Sequence, residues 1–122
     1  MPDAASALMI RGSKNTAKIS RETLMTTKLT VLAIARAKPG KEAELGKQLL
    51  ALVEPSRAEE GCISYDIHQS NEDPAIWMAY ENWRSDEDLA LHFETPYLRA
   101  FGALGDELLA EPVSVQKFTV KS

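Results

Sequence analysis

The sequence predicts an α+β domain of the ferredoxin-like type, with element order βαββαβ. Three observations predict it. Four short stretches are rich in apolar, β-branched and aromatic residues and are bounded by turn residues. A helix-periodic stretch follows the first of them and another follows the third. The second and third are joined by a polar turn of hairpin length, Ser70 to Pro74. Together these give the split βαβ arrangement, with helices over one face of a four-stranded sheet.

The first strand is Leu29 to Ala37. Leu29, Val31, Ala33 and Ala35 lie on one side, with Leu32 and Ile34 on the other, so both faces are expected to be covered. Lys38-Pro39-Gly40 is a turn. Lys41 to about Arg57 reads as a helix burying Leu45, Leu49, Leu52 and Val53. Pro55 must kink it or end it early, because proline removes a backbone donor. Gly61 closes the connection. Cys62 to Gln69 alternates as a strand, with Ile63, Tyr65 and Ile67 on its apolar face.

Ala75 to Trp83 is the third strand. Ser85 then caps a helix whose first turn holds Asp86, Glu87 and Asp88, where the helix dipole favours negative charge. Leu89, Ala90 and Phe93 are expected on its buried face, with His92 beside them. Thr95-Pro96 reads as a cap with proline at the first helical position. The helix that restarts there carries the apolar row Tyr97, Phe101, Leu104, Leu108. Val113 to Lys121 is the fourth strand. The sheet face away from the helices is also apolar, and a second copy of the sheet is its simplest cover, so a homodimer is expected.

At 122 residues the chain is one domain with a real core. Its 44% apolar and 26% charged residues are those of an ordinary soluble globular domain. A net charge of −4 argues against a nucleic-acid binder, which needs a basic face. No apolar run approaches the ~20 residues that span a bilayer. The single Cys62 excludes an internal disulfide and fits a reducing, cytoplasmic setting. Residues 1–25 read as a flexible N-terminal extension ahead of a domain at 28–120. Its basic residues follow its short apolar tip, the reverse of a secretory signal.

No Gly-rich phosphate loop, H-x-x-x-H or C-x-x-C spacing occurs, so no flavin, haem or metal is expected. The only histidines are His68 and His92, expected on different layers. That leaves an aromatic-lined pocket with one titratable imidazole, and His92 is the candidate base.

The run Glu81-x-Trp83, with His92 nine residues later and then Thr95-Pro96, resembles the antibiotic biosynthesis monooxygenase family. Lys38-Pro39-Gly40-Lys41, Glu60-Gly61-Cys62-Ile63-Ser64-Tyr65 and the Val113 to Val120 strand extend the resemblance, which spans Lys28 to Val120. The small quinol monooxygenases are its most similar branch. The resemblance implies a dimeric α+β barrel. It also implies a cofactor-independent monooxygenase that oxidises a small quinol-like or phenolic aromatic with molecular oxygen. His92 would be the catalytic base, and Trp83, Tyr65, Glu81, Asn82 and Tyr97 would contact or orient the ring.

Some branch patterns are absent. The polyketide-tailoring branch has an Asn four before the Trp and a Tyr six after it, where this chain has Ala79 and Leu89. The haem-degrading branch uses an Asn on the first strand, where Ala33 or Ile34 stands. The quinol-oxidising and autoinducer-processing branches often place a second His after Thr-Pro, and here it is Tyr97. Two other functions compete. One is an isomerase of a small hydroxy-ketone, in which Arg84 and Arg99 would hold a phosphate. The other is a non-enzymatic barrel that holds a hydrophobic ligand.

Overall fold

The computed structural model describes residues 28–122, so the expectation for residues 1–25 lies outside the described residues. The strands are β1 (Leu29–Arg36), β2 (Cys62–Gln69), β3 (Ile76–Trp83) and β4 (Ser114–Phe118). The helices are α1 (Glu42–Leu50), α2 (Val53–Arg57), α3 (Asp86–Phe93), α4 (Pro96–Gly102) and α5 (Gly105–Leu108). All strand pairs are antiparallel, in the order β2-β3-β1-β4. This is the ferredoxin-like α+β fold.

The first helical stretch is two helices. The break falls at Ala51 and Leu52, three to four residues ahead of Pro55. Proline has no N–H to offer the carbonyl four residues back, and its ring crowds that carbonyl. The break therefore sits where Pro55 forbids continuation, and Pro55 itself lies in the first turn of α2. Leu45, Leu49 and Leu52 are buried as expected. The last helical stretch likewise divides into α4 and α5, and of its apolar row only Leu108 is fully buried.

Strand parity sorts the side chains. Val31, Ala35, Ala79, Trp83 and Tyr65 face the helices and form the core with the α1 leucines. Leu32, Ile34, Met78, Tyr80 and Phe118 fall on the other face, which the described residues leave without helices. One expectation for β2 is corrected. Its register shifts between Cys62 and Ser64, so Cys62 opposes Trp83 while Ser64 opposes Asn82. The bulge brings Cys62 into the core and leaves Ile63 exposed.

Gly46 of α1 lies against the Trp77 indole. A Cβ there would stand 2.3 Å from Trp77 Cζ2, far inside van der Waals contact. Gly46→Ala is therefore expected to destabilise the domain by about 1–3 kcal/mol through overpacking, outweighing alanine's better helix propensity. A urea titration should show a lower midpoint at unchanged slope. An unchanged or raised midpoint would refute the close packing.

Candidate active site

His92 is the last-turn residue of α3 that points into the protein, and it is 1% exposed. The helix is aimed by its caps. Ser85 accepts from the Asp88 backbone N–H, and Arg84 N–H donates to Gly61 O at 2.8 Å, tying the helix entry to the start of β2. Gly61 lies so close to Asp88 that a Cβ would stand 2.2 Å from Asp88 Cγ. The buried stripe of α3 is Leu89 and His92, spaced one turn apart. Ala90 and Phe93, expected to join it, are exposed.

The imidazole is enclosed by rings. Trp83, the last residue of β3, has its ring centroid 4.6 Å away, and Tyr65 of β2 meets it edge-on at 5.5 Å. Tyr97 of α4 stands at 6.5 Å. Thr95 caps α4 by accepting from Leu98 N–H, and its hydroxyl donates to His92 O at 2.8 Å, so α4 starts locked to the end of α3. Trp83 Nε1–H donates to Glu81 Oε1 at 2.8 Å. Trp83, Tyr65, Glu81, Tyr97 and His92 are thus brought together on the helix side of the sheet.

Asn82 is not with them. Successive strand residues point to opposite faces, so Asn82 lies behind the sheet from Glu81 and Trp83. There it accepts from Thr30 Oγ1 at 2.6 Å and donates to Ser64 Oγ at 2.9 Å. Its placement as a ring contact is corrected. His68 is also apart, on β2's exposed stretch. Arg84 and Arg99 are exposed, with Arg84 paired to Asp88 and Arg99 donating to Glu94 O, so they form no phosphate cradle.

Sequence reasoning missed Glu59. His92 Nδ1–H donates to Glu59 Oε2 at 2.7 Å, and the Tyr97 hydroxyl donates to the same oxygen at 2.5 Å. A signal was present. Glu59 follows α2 at its C-terminal end, where the helix dipole disfavours a carboxylate. With Nδ1 acting as donor, Nε2 of the neutral ring carries the lone pair. Among the described residues nothing hydrogen-bonds Nε2.

Glu81, Cys62, Tyr97 and Tyr65 all shift upward. Burial pushes Glu81 up to about 7, against the opposing Trp83 hydrogen bond, with nearby Glu59 adding to the rise. Burial, then the Glu59 and Glu81 charges, push the Cys62 thiol up to about 12, so it is an inert thiol. Burial and Glu59 raise Tyr97 to about 12, and burial and Glu81 raise Tyr65. Both tyrosines are neutral donors. Among the described residues no three His, Cys, Asp or Glu side chains converge as metal ligands. A surface cleft of about 580 Å³, lined in part by Gly46, Lys47 and Trp77, is separate: Trp77 lies six residues, about 20 Å, along β3 from Trp83.

The fold and site define a small ferredoxin-like domain that encloses one carboxylate-held imidazole in aromatic side chains. The model of the antibiotic biosynthesis monooxygenase family matches residues 29–104, and the chain belongs to that family. The Mycobacterium tuberculosis protein named Putative monooxygenase Rv0793 is 34% identical over 91 residues, covering 75% of this chain and 89% of that protein. Uncharacterized protein sll1783 of Synechocystis is 32% identical over 92 residues; the match covers 75% of this chain and 63% of that protein's length. The crystal structure of PA3566 from Pseudomonas aeruginosa superposes with a TM-score of 0.76 at 37% identity, covering 80% of this chain and 98% of that one. These relationships support a monooxygenase-like role. No helix among the described residues is long and apolar enough to cross a membrane.

Glu81 has a consequence for stability. A carboxyl held at about 7 when folded, against an ordinary 4.5, binds its proton more tightly in the folded state. Its contribution is fully present below pH 4.5 and is lost as pH rises through about 7. The loss is about 3 kcal/mol. Glu81→Gln should remove that part of the slope in urea-unfolding free energies measured between about pH 4.5 and 8. An identical pH profile in the variant would show that Glu81 is not the titrating group.

Proposed function

We propose that this chain is a cofactor-independent monooxygenase that oxidises a small quinol-like or phenolic ring with molecular oxygen, acting as a homodimer. The observation that carries the reading is the Glu59–His92 pair inside an aromatic enclosure. Glu59 holds the Nδ1 proton, which leaves Nε2 as a base, and supports the imidazolium that forms when Nε2 takes a proton. His92 removes the proton of a ring hydroxyl. The resulting electron-rich anion reduces oxygen directly. One oxygen atom enters the ring and the other leaves as water, the ring supplying all four electrons, so no external reductant is needed. Trp83 and Tyr65 give the ring flat apolar surfaces, and the dry surroundings protect the anion from solvent.

The test is oxygen uptake with a panel of hydroquinones, paired with melting temperatures. His92→Ala should lower turnover about 10²–10⁴-fold. The variant should remain folded, at a cost of about 1–3 kcal/mol. Full turnover in a folded variant would remove His92 from the mechanism. Uptake by neither protein with any hydroquinone would defeat the oxidation itself and favour simple ligand holding.

The homodimer rests on the sheet face opposite the helices. Leu32, Ile34 and Met78 are only half-buried there, and Tyr80 and Phe118 are exposed. A facing copy would bury an obligate-class area of about 2,000 Å² or more. Light scattering at micromolar concentration should return twice the chain mass. A clean monomer would sink this part of the proposal.

A further inference from the structure

We infer that the His92 site admits hydroxylated rings without an anionic substituent and turns away the same rings carrying a carboxylate or phosphate. The inference rests on the reading of that site as the place where a ring binds. It adds the charge rule that selects among rings.

The fixed charge around the imidazole has one sign. Glu59 Oε2 receives His92 Nδ1–H and the Tyr97 hydroxyl, and Glu81 Oε1 receives Trp83 Nε1–H. Glu81 is 4% exposed, so water screens it poorly. Among the described residues no lysine or arginine bonds either carboxyl group. The basic side chains of neighbouring elements are committed elsewhere and lie toward solvent. Arg84 grips Asp88 through two hydrogen bonds, of 2.8 and 3.0 Å. Arg57 donates to the Tyr65 backbone carbonyl and to Asp66. Lys117 shares the helix side of the sheet with Glu81 but pairs with Asp86 at 2.9 Å. Burial raises Cys62, Tyr65 and Tyr97 most, and the Glu59 and Glu81 charges add to the rise, with Arg57 opposing it only at Cys62.

An anion generated inside this site differs from an anion brought to it. When His92 takes a hydroxyl proton, an imidazolium forms at the same moment, between Glu59 and the new phenolate. The charges are paired as they arise. A carboxylate or phosphate carried in on the ring has no such partner. It must shed its hydration and sit near two carboxyl groups in a medium of low dielectric. Hydroxyls suit the site, because Nε2 and the carboxyl oxygens offer them acceptors.

The experiment is calorimetric titration of the full chain under anaerobic conditions, so that binding is read without turnover. Hydroquinone is compared with gentisate, the same ring bearing a carboxylate. At about pH 8, Glu81 lies above the value to which burial raises it. There gentisate should bind about ten- to a hundredfold more weakly than hydroquinone. Glu81→Gln keeps an acceptor for Trp83 Nε1 and should narrow that gap. Equal or tighter binding of gentisate by the natural chain overturns the inference, whether or not the variant folds. So does failure of both rings to bind. The oxidation is judged separately. Hydroquinone that binds selectively yet is not oxidised in air defeats the proposed reaction and leaves the charge rule standing. Gentisate that binds equally well and is oxidised defeats the charge rule and leaves the reaction standing.

Discussion

The site depends on one carboxylate oxygen. Glu59 Oε2 accepts from His92 at the end of α3 and from Tyr97 at the start of α4, while Glu59 itself belongs to the turn between α2 and β2. The turn after α2 and the α3–α4 junction, whose residues lie 33 and 38 positions from Glu59, thus meet at a single acceptor. An imidazole that is 1% exposed needs a partner for its N–H, since an unpaired buried donor costs about 1–3 kcal/mol. The partner chosen also fixes which nitrogen carries the lone pair. The same bond therefore satisfies the fold and sets the chemistry.

Glu81 shows the opposite balance. It has the Trp83 N–H as its hydrogen-bond donor and is almost wholly buried, so desolvation outweighs the bond. An apolar residue would pack between Val31 and Tyr65 at lower cost. Local rules broken without visible structural gain tend to mark functional positions. Here the gain lies in the indole: the Glu81 bond fixes the Trp83 ring plane, and that plane lies against His92.

Much of this was legible in the sequence. Alternation put Val31 and Ala35 on one face of the first strand without telling which face meets the helices, and helical spacing marked Leu45 and Leu49 as buried. The resemblance groups Trp83, Tyr65, Glu81, Tyr97 and His92, and the fold brings those five together. Asn82, which the resemblance groups with them, lies apart because a strand sends neighbouring side chains to opposite faces, so a residue between Glu81 and Trp83 cannot share their side. Glu59 was overlooked because its partners lie 33 and 38 residues away, beyond any local periodicity. The bulge at Ile63 was hidden for a similar reason. Period-two patterning assumes unbroken alternation, so it groups Ile63 with Tyr65 and Ile67 and cannot report an inserted residue.

Asn82 still matters to the site, from behind. It stands in line with Thr30 on β1 and Ser64 on β2, hydrogen-bonded to both, so one amide side chain ties three strands together across the sheet. The tie falls between Glu81 and Trp83 along β3, and directly beside the bulge. A bulge leaves one residue unpaired and the ladder locally disrupted, so the pairing beside it gains from a side-chain tie. A slip of β2 against β3 would carry Tyr65 to the outer face and take one wall from the imidazole. A polar row on the outer face therefore holds the register that the inner face needs. The two faces divide the work: the outer one links three strands through Asn82, and the inner one holds the aromatic enclosure around His92.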